Sequence, residues 1–181
     1  MIKAKDIDES LWRDAFSLFC CDKDYDITDF IGNKAVEYEK RDKSRTYIYF
    51  DDNYLNGTGK LKVIGYFSLA MKTMKVPVIE TMSNSLRKKL GNLSDKDQNV
   101  VVFLIGQLGR DTSYPRGYLK GKRMLQDCYG LIGSARNIVG GRIILLECKP
   151  IEKLCCFYEE EGYIDITEDS NGLKQYIRFI A

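Results

Sequence analysis

The run from Arg110 to Leu125, RDTSYPRGYLKGKRML, gathers Arg110, Arg116, Lys120, Lys122 and Arg123 around a single acid, Asp111. Gly117 and Gly121 let a ligand approach the backbone closely. Where such a run leads from a strand into a helix, free N–H groups, the helix dipole and the cations together favour phosphate. The run contains neither GxxxxGK[ST] nor GxGxxG, so it is neither a Walker loop nor a dinucleotide fingerprint. A solvated loop with ordinary surface cations is the plainer alternative, and charge alone does not choose between them. A second segment with chemistry in it is FYEEEGY, Phe157 to Tyr163. A tyrosine hydroxyl, with a reference pKa of about 10, is protonated at neutral pH and able to donate. The competing role for Tyr158 is core packing beside Phe157. The chain has no histidine. That removes Ser-His-Asp and Cys-His catalysis, HExxH zinc sites and imidazole bases together.

These segments must be carried by a chain of 181 residues, 44% hydrophobic, with 28 Lys+Arg against 26 Asp+Glu. The formal charge of +2 excludes a nucleic-acid footprint of the histone type, so any such contact is a local patch. The length suits one domain over residues 1–181, with an insertion at about 72–99. The six cysteines show no CxxC; Cys20-Cys21 and Cys155-Cys156 are adjacent, and Cys128 and Cys148 stand alone. They are expected to be reduced and to serve as small core hydrophobes in a cytoplasmic protein. The opening MIKAKDIDES is neither a signal nor a transit sequence, and the apolar run from Val100 to Gly106 is far too short to span a membrane.

The elements follow from periodicity. Leu11, Ala15 and Leu18, with Trp12, Phe16 and Phe19, form one broad helical stripe behind Ser10 as N-cap. Ile27, Phe30, Ile31, Ala35 and Tyr38 form a second, starting near Asp26 or Thr28. Residues 45–52 and 61–71 read as strands joined by a turn at Asn56–Gly59. The 72–99 segment holds Pro77 and a short helical candidate around Leu86 and Leu90. Val100–Leu108 is continuously apolar, as a strand covered on both faces should be. A helix follows through Met124, Leu125, Cys128, Leu131, Ile132 and Ala135, stopped at Gly140-Gly141. Then come a buried strand, Arg142–Cys148, and a helix through Leu154, Phe157 and Tyr158 that begins near Pro150 and ends at Gly162. Two strands around Asn171-Gly172 close the chain.

This order, the basic loop and FYEEEGY together resemble the GNAT superfamily of N-acetyltransferases. The resemblance runs from about Ser10 to the end. It implies an α/β (α+β) fold: a mixed, mostly antiparallel central sheet flanked by helices, with an acyl-coenzyme A cleft between splayed fourth and fifth strands. The family binds the coenzyme through Q/R-x-x-G-x-G/A, matched here by Arg116-Gly117-Tyr118-Leu119-Lys120-Gly121, with Leu119 in place of the middle glycine. The implied coenzyme contacts are Leu108, Gly109, Arg110, Arg116, Gly117, Tyr118, Leu119, Lys120, Gly121 and Lys122. FYEEEGY is similar to the family's FYEKxGF segment, which makes Tyr158 the catalytic general acid for the departing thiolate. Ile151 and Leu154 stand where many members have Asn and Ala. The long segment before the fourth strand and IGQLGRD are similar to the transfer-RNA-acetylating toxins, with Gln107 where those toxins tend to have Arg.

The implied reaction transfers the acetyl group of acetyl-coenzyme A directly to a primary amine, with no metal. Backbone N–H groups near Leu108 and Gly109 polarise the carbonyl. The base is open among Asp111, Glu147 and water, and a cysteine nucleophile carries little weight because Cys148 lies in a buried strand. The acceptor is open too: a small amine, a protein amine or charged tRNA. A homodimer is compatible, and no membrane is implied. Two other classes stand beside this one: a catalytically idle GNAT fold that binds coenzyme A or a partner, and an RNA- or partner-binding module using the basic loop.

Overall fold

The computed structural model describes residues 1–80, 82–168 and 172–180, with the backbone alone at 9, 10 and 13. Its strands are β1 (Ile2–Lys3), β2 (Arg45–Phe50), β3 (Val63–Lys75), β4 (Asn99–Arg110), β5 (Ile143–Cys148), β6 (Ile164–Asp165) and β7 (Lys174–Phe179). Its helices are α1 (Glu9–Ser17), α2 (Tyr25–Asp29), α3 (Ala35–Lys40), α4 (Asp52–Thr58), α5 (Asn84–Gly91), α6 (Gly121–Val139) and α7 (Glu152–Glu160). A π-helical turn, Phe30–Lys34, joins α2 to α3. The strand order is β1-β2-β3-β4-β5-β7-β6. Of the pairs with a described register, β4–β5 is parallel and β1–β2, β2–β3, β5–β7 and β6–β7 are antiparallel. The sheet is therefore mixed and mostly antiparallel, as expected. The short β1, which periodicity did not reveal, makes Asn99–Arg110 the fourth strand of the chain.

The chain forms two compact units, 1–70 with 106–130, and 71–105 with 131–181. In the first, Trp12, Ala15, Phe16 and Phe19 of α1 and its exit are buried with Phe30, Ile31, Ala35, Ile48, Val63 and Tyr66. Leu11 and Leu18 are each 51% exposed, so the α1 stripe is narrower than expected. They lie seven residues apart on one flank, and the aromatic positions take the core instead. The helix starts at Glu9, so Ser10 is inside its first turn; its capping role lies outside the described residues. The second helix starts at Tyr25, because the Asp24 carboxylate accepts from Asp26 N–H at 3.0 Å. Thr28 does not cap it and instead accepts from Cys21 N–H at 2.9 Å.

The expected turn at 56–59 is corrected to the end of α4. Asp51 accepts from Tyr54 N–H at 3.1 Å at its start, and Gly59 stops it in a left-handed conformation. A capping acid and a C-terminal glycine outweigh the turn-forming composition of NGTG. β3 also runs on to Lys75, and Met71 faces solvent.

In the second unit, Met74, Val76, Met82 and Leu90 join Val100, Val102, Ile143, Leu145, Ile166 and Ile177 in one buried cluster. Residues 72–99 thus lend side chains to a core shared with β4, β5 and β7. α5 is the helix expected around Leu86 and Leu90, with Ser83 Oγ accepting from Leu86 N–H at 3.2 Å. α6 buries Met124, Leu125, Cys128 and Ile132 and ends before Gly140-Gly141. Gly172 is described at the last turn, and Asn171 lies outside the described residues.

β4 carries a close-packing requirement at Gly109. A Cβ there would lie 2.2 Å from Cγ2 of Ile27. Gly109→Ala is expected to cost about 1–3 kcal/mol by overpacking. In an Ile27→Ala background that cost should largely vanish. Denaturant midpoints of the four proteins measure the coupling; strictly additive costs would contradict the contact.

Candidate functional site

The basic run leaves β4 and is tied down before it turns. Asp111 N–H donates to the Ile64 carbonyl at 2.9 Å, and Thr112 N–H donates to the Cys20 carbonyl at 2.8 Å. The Asp111 side chain is fully buried and accepts from Ser113 N–H at 2.7 Å and Cys20 N–H at 3.4 Å. Thr112 Oγ1 accepts from Asp22 N–H at 3.1 Å. Asp111, a candidate base, thus anchors the loop to residues 20–22.

The middle of the loop hangs on a second carboxylate. Tyr114 donates its hydroxyl to Asp51 Oδ2 at 2.7 Å, and Tyr118 to Asp51 Oδ1 at 3.4 Å. The two rings lie 5.0 Å apart, with Lys62 Nζ 4.7 Å from the Tyr114 ring. Tyr114 above all, with backbone N–H groups, holds the Asp51 carboxyl below the usual carboxylate range. Burial and the same bond raise the Tyr114 hydroxyl above its ordinary value. Between the tyrosines, Gly117 has φ +97°, a backbone conformation that other residues rarely adopt. Gly65 makes room for Leu119: a Cβ at Gly65 would lie 2.4 Å from Leu119 Cδ2.

α6 begins directly after the loop, with Met124 N–H donating to the Lys120 carbonyl at 3.2 Å. The N–H groups of its first turn have no intrahelical acceptor, and that turn contains no acid. Arg116 and Lys120 are exposed and have no side-chain partner among the described residues; Lys122 is exposed beside them. Arg123 pairs with Asp127 at 3.1 Å, and Tyr49 donates to the same oxygen at 2.7 Å. Leu108, Gly109 and Arg110 close β4, which runs past Ile105, the last residue registered to β5. Ten sequence-predicted residues, Leu108 to Arg110 and Arg116 to Lys122, therefore share the first unit with the start of α6, residues 121–130. They place Arg116, Lys120 and Lys122 close in sequence to the start of α6.

Tyr158 lies in the second unit, on α7, and is buried. Its ring centroid is 5.2 Å from Phe157, 5.7 Å from Tyr163 and 6.2 Å from Tyr176. α7 starts at Glu152, slightly later than expected. Tyr176 donates to Glu159 Oε1 at 3.0 Å, and burial raises its hydroxyl above the ordinary value. Glu147, the other candidate base, accepts from Lys72 Nζ and Gln175 Nε2, each at 3.0 Å.

The six cysteines are free, but only Cys128 and Cys148 are buried. Burial, with Cys155 nearby, pushes the Cys148 thiol up to about 12. Cys20 and Cys156 are exposed, so the core role expected for all six is corrected to two. In each adjacent pair one residue turns outward, as neighbouring positions must.

Asp51, Gly65, Tyr49 and Asp127 escaped the sequence reading. Tyr114 was inside the quoted loop without a role. The pairs Asp51–Tyr114, Gly65–Leu119 and Tyr49–Asp127 are 54 or more positions apart, and no local spacing signals them.

No model of a protein family matches this chain, and no curated protein matches it. Solved structures do. The chain is similar to AtaT complexed with acetyl-methionyl-tRNAfMet, at 21% identity and TM-score 0.68, covering 91% of this chain and 86% of that one. It is similar to a tyrosine-to-phenylalanine variant of KacT, at 19% identity and TM-score 0.69, covering 90% and 86%. It is similar to AtaTR bound with acetyl-coenzyme A, at 17% identity and TM-score 0.66, covering 94% and 87%. The chain shares the fold of AtaT and KacT, a GNAT-like mixed sheet flanked by helices. Among the described residues no helix is long and apolar enough to cross a membrane.

Proposed function

We propose that this chain is an acetyl-coenzyme A-dependent N-acetyltransferase that moves the acetyl group to a primary amine by direct attack. The observation that carries the reading is the β4–loop–α6 arrangement: exposed Arg116, Lys120 and Lys122 around an acid-free helix start, on a GNAT fold. The left-handed backbone of Gly117 and the cations at the acid-free start of α6 suit a diphosphate. Bound acetyl-coenzyme A supplies the thioester. Arg116, Lys120, Lys122 and the N–H groups of Gly121 and Lys122 hold its diphosphate, with Tyr118 and Leu119 shaping the turn. Backbone N–H groups of Leu108 and Gly109 face the charge that develops on the carbonyl oxygen. The Tyr158 hydroxyl donates a proton to the leaving sulfur. Asp111 and Glu147 are engaged in structural bonds, which favours water as the route for the amine's proton.

The acceptor we propose is the amino group of a charged tRNA. A neighbour of the same fold was solved with acetyl-methionyl-tRNAfMet, and the exposed loop cations suit a phosphate backbone. The free thiols fit a reducing compartment, the cytoplasm. Titration with acetyl-coenzyme A should show saturable binding, and incubation with labelled acetyl-coenzyme A and mixed aminoacyl-tRNAs should transfer label to the aminoacyl group. No binding at millimolar coenzyme would end the enzyme reading. Binding with label moving only to small amines or proteins would replace the acceptor.

A further inference from the structure

Building on the reading of residues 110–123 as the coenzyme loop, we infer that Asp51 is a positioning residue that holds the diphosphate-binding turn through the hydroxyls of Tyr114 and Tyr118. Asp51 follows β2 and is 9% exposed. Its two oxygens serve two tasks at once. Oδ1 accepts from Tyr54 N–H at 3.1 Å, capping α4, and from the Tyr118 hydroxyl at 3.4 Å; Oδ2 accepts from Tyr114 at 2.7 Å. The two tyrosines bracket Arg116 and Gly117, and Tyr118 N–H closes the turn on the Pro115 carbonyl at 3.2 Å. Lys62, over the Tyr114 ring and 5.7 Å from that of Tyr54, presses the same cluster from the β3 side.

Two hooks on one carboxylate fix both ends of a short turn. Upstream, the loop is tied at Asp111 and Thr112, with a long 3.5 Å bond from Arg110 Nη1 to the Pro115 carbonyl; downstream, α6 begins at Gly121. Without Asp51 the stretch between would sample many backbone states, and coenzyme binding would have to order it. Bonds to an ionised acceptor are the stronger kind, so one aspartate suffices to hold the turn in the unliganded protein.

The test uses Asp51→Asn, which keeps a good N-cap for α4, and Tyr114→Phe, which keeps the ring. In the unliganded protein, amides 116–120 should exchange with deuterium at least about fivefold faster in both variants, since each loses a charge-assisted bond. Coenzyme A affinity by calorimetry should fall about tenfold, with thermal melts little changed. Turnover from S-acetylpantetheine, which lacks the diphosphate, should stay at the wild-type value; a purely structural role would lower it as well. Wild-type exchange at 116–120 in both variants, or faster exchange with unchanged coenzyme affinity, overturns the positioning role alone. A wild-type protein that binds no coenzyme A removes the proposed function, and the positioning role with it.

Discussion

Tyr158→Phe is expected to slow acetyl transfer by about 10²–10⁴-fold while coenzyme binding persists, the range typical of general acid–base assistance. The substitution removes one oxygen and keeps the ring against Phe157, Tyr163 and Tyr176, at centroid distances of 5.2, 5.7 and 6.2 Å. A hydroxyl that is hydrogen-bonded contributes about 0.5–1.5 kcal/mol to folding, so a loss of turnover in this range cannot come from unfolding. No histidine is present to take over the proton transfer. Acetyl-coenzyme A consumption with a confirmed acceptor, alongside melts and calorimetry, measures all three quantities. Wild-type turnover in the Phe variant would assign Tyr158 to packing and leave water to protonate the sulfur.

Gly121→Asp should weaken acetyl-coenzyme A binding by at least about tenfold. Gly121 opens α6, where the first-turn N–H groups point out of the helix and no acid is present. An aspartate there sets a negative charge against a diphosphate. At an effective dielectric of 20, like charges 4 Å apart repel by about 4 kcal/mol, and even strong screening leaves more than a tenfold effect. The same substitution is favourable for the helix itself, because acids in the first turn complement the dipole. Affinity and stability should therefore move in opposite directions: weaker binding by calorimetry, with an unchanged or higher Tm. Unchanged affinity would place the diphosphate elsewhere.

The residues that carry the proposed chemistry were legible before any coordinates. Val100–Leu108 announces a strand by its unbroken apolar run, and Met124, Leu125, Cys128 and Ile132 announce a helix by their spacing. The cations between them therefore had to lie on a strand-to-helix loop. Local errors came where two local signals competed. At NGTG, turn-forming composition lost to the Asp51 cap and Gly59. At α1, Leu11 and Leu18 fit the helical period, yet the aromatic flank filled the core. At the cysteines, chemistry said buried, and adjacency forced one of each pair outward.

The amino-acid sequence by itself determined the order of the strands and helices other than β1 and α4, the place of the basic loop and the absence of any imidazole, since each depends on residue types within a few positions of one another. Only the tertiary structure decided how the loop is held. Asp51 meets Tyr114 across 63 positions, and Asp111 meets Cys20 across 91. Gly65 makes room for Leu119, as Gly109 does for Ile27. Such partners have no shared period and no spacing rule. They are chosen by which side chains the packed elements bring within contact, and that choice exists only once the sheet and its helices have formed.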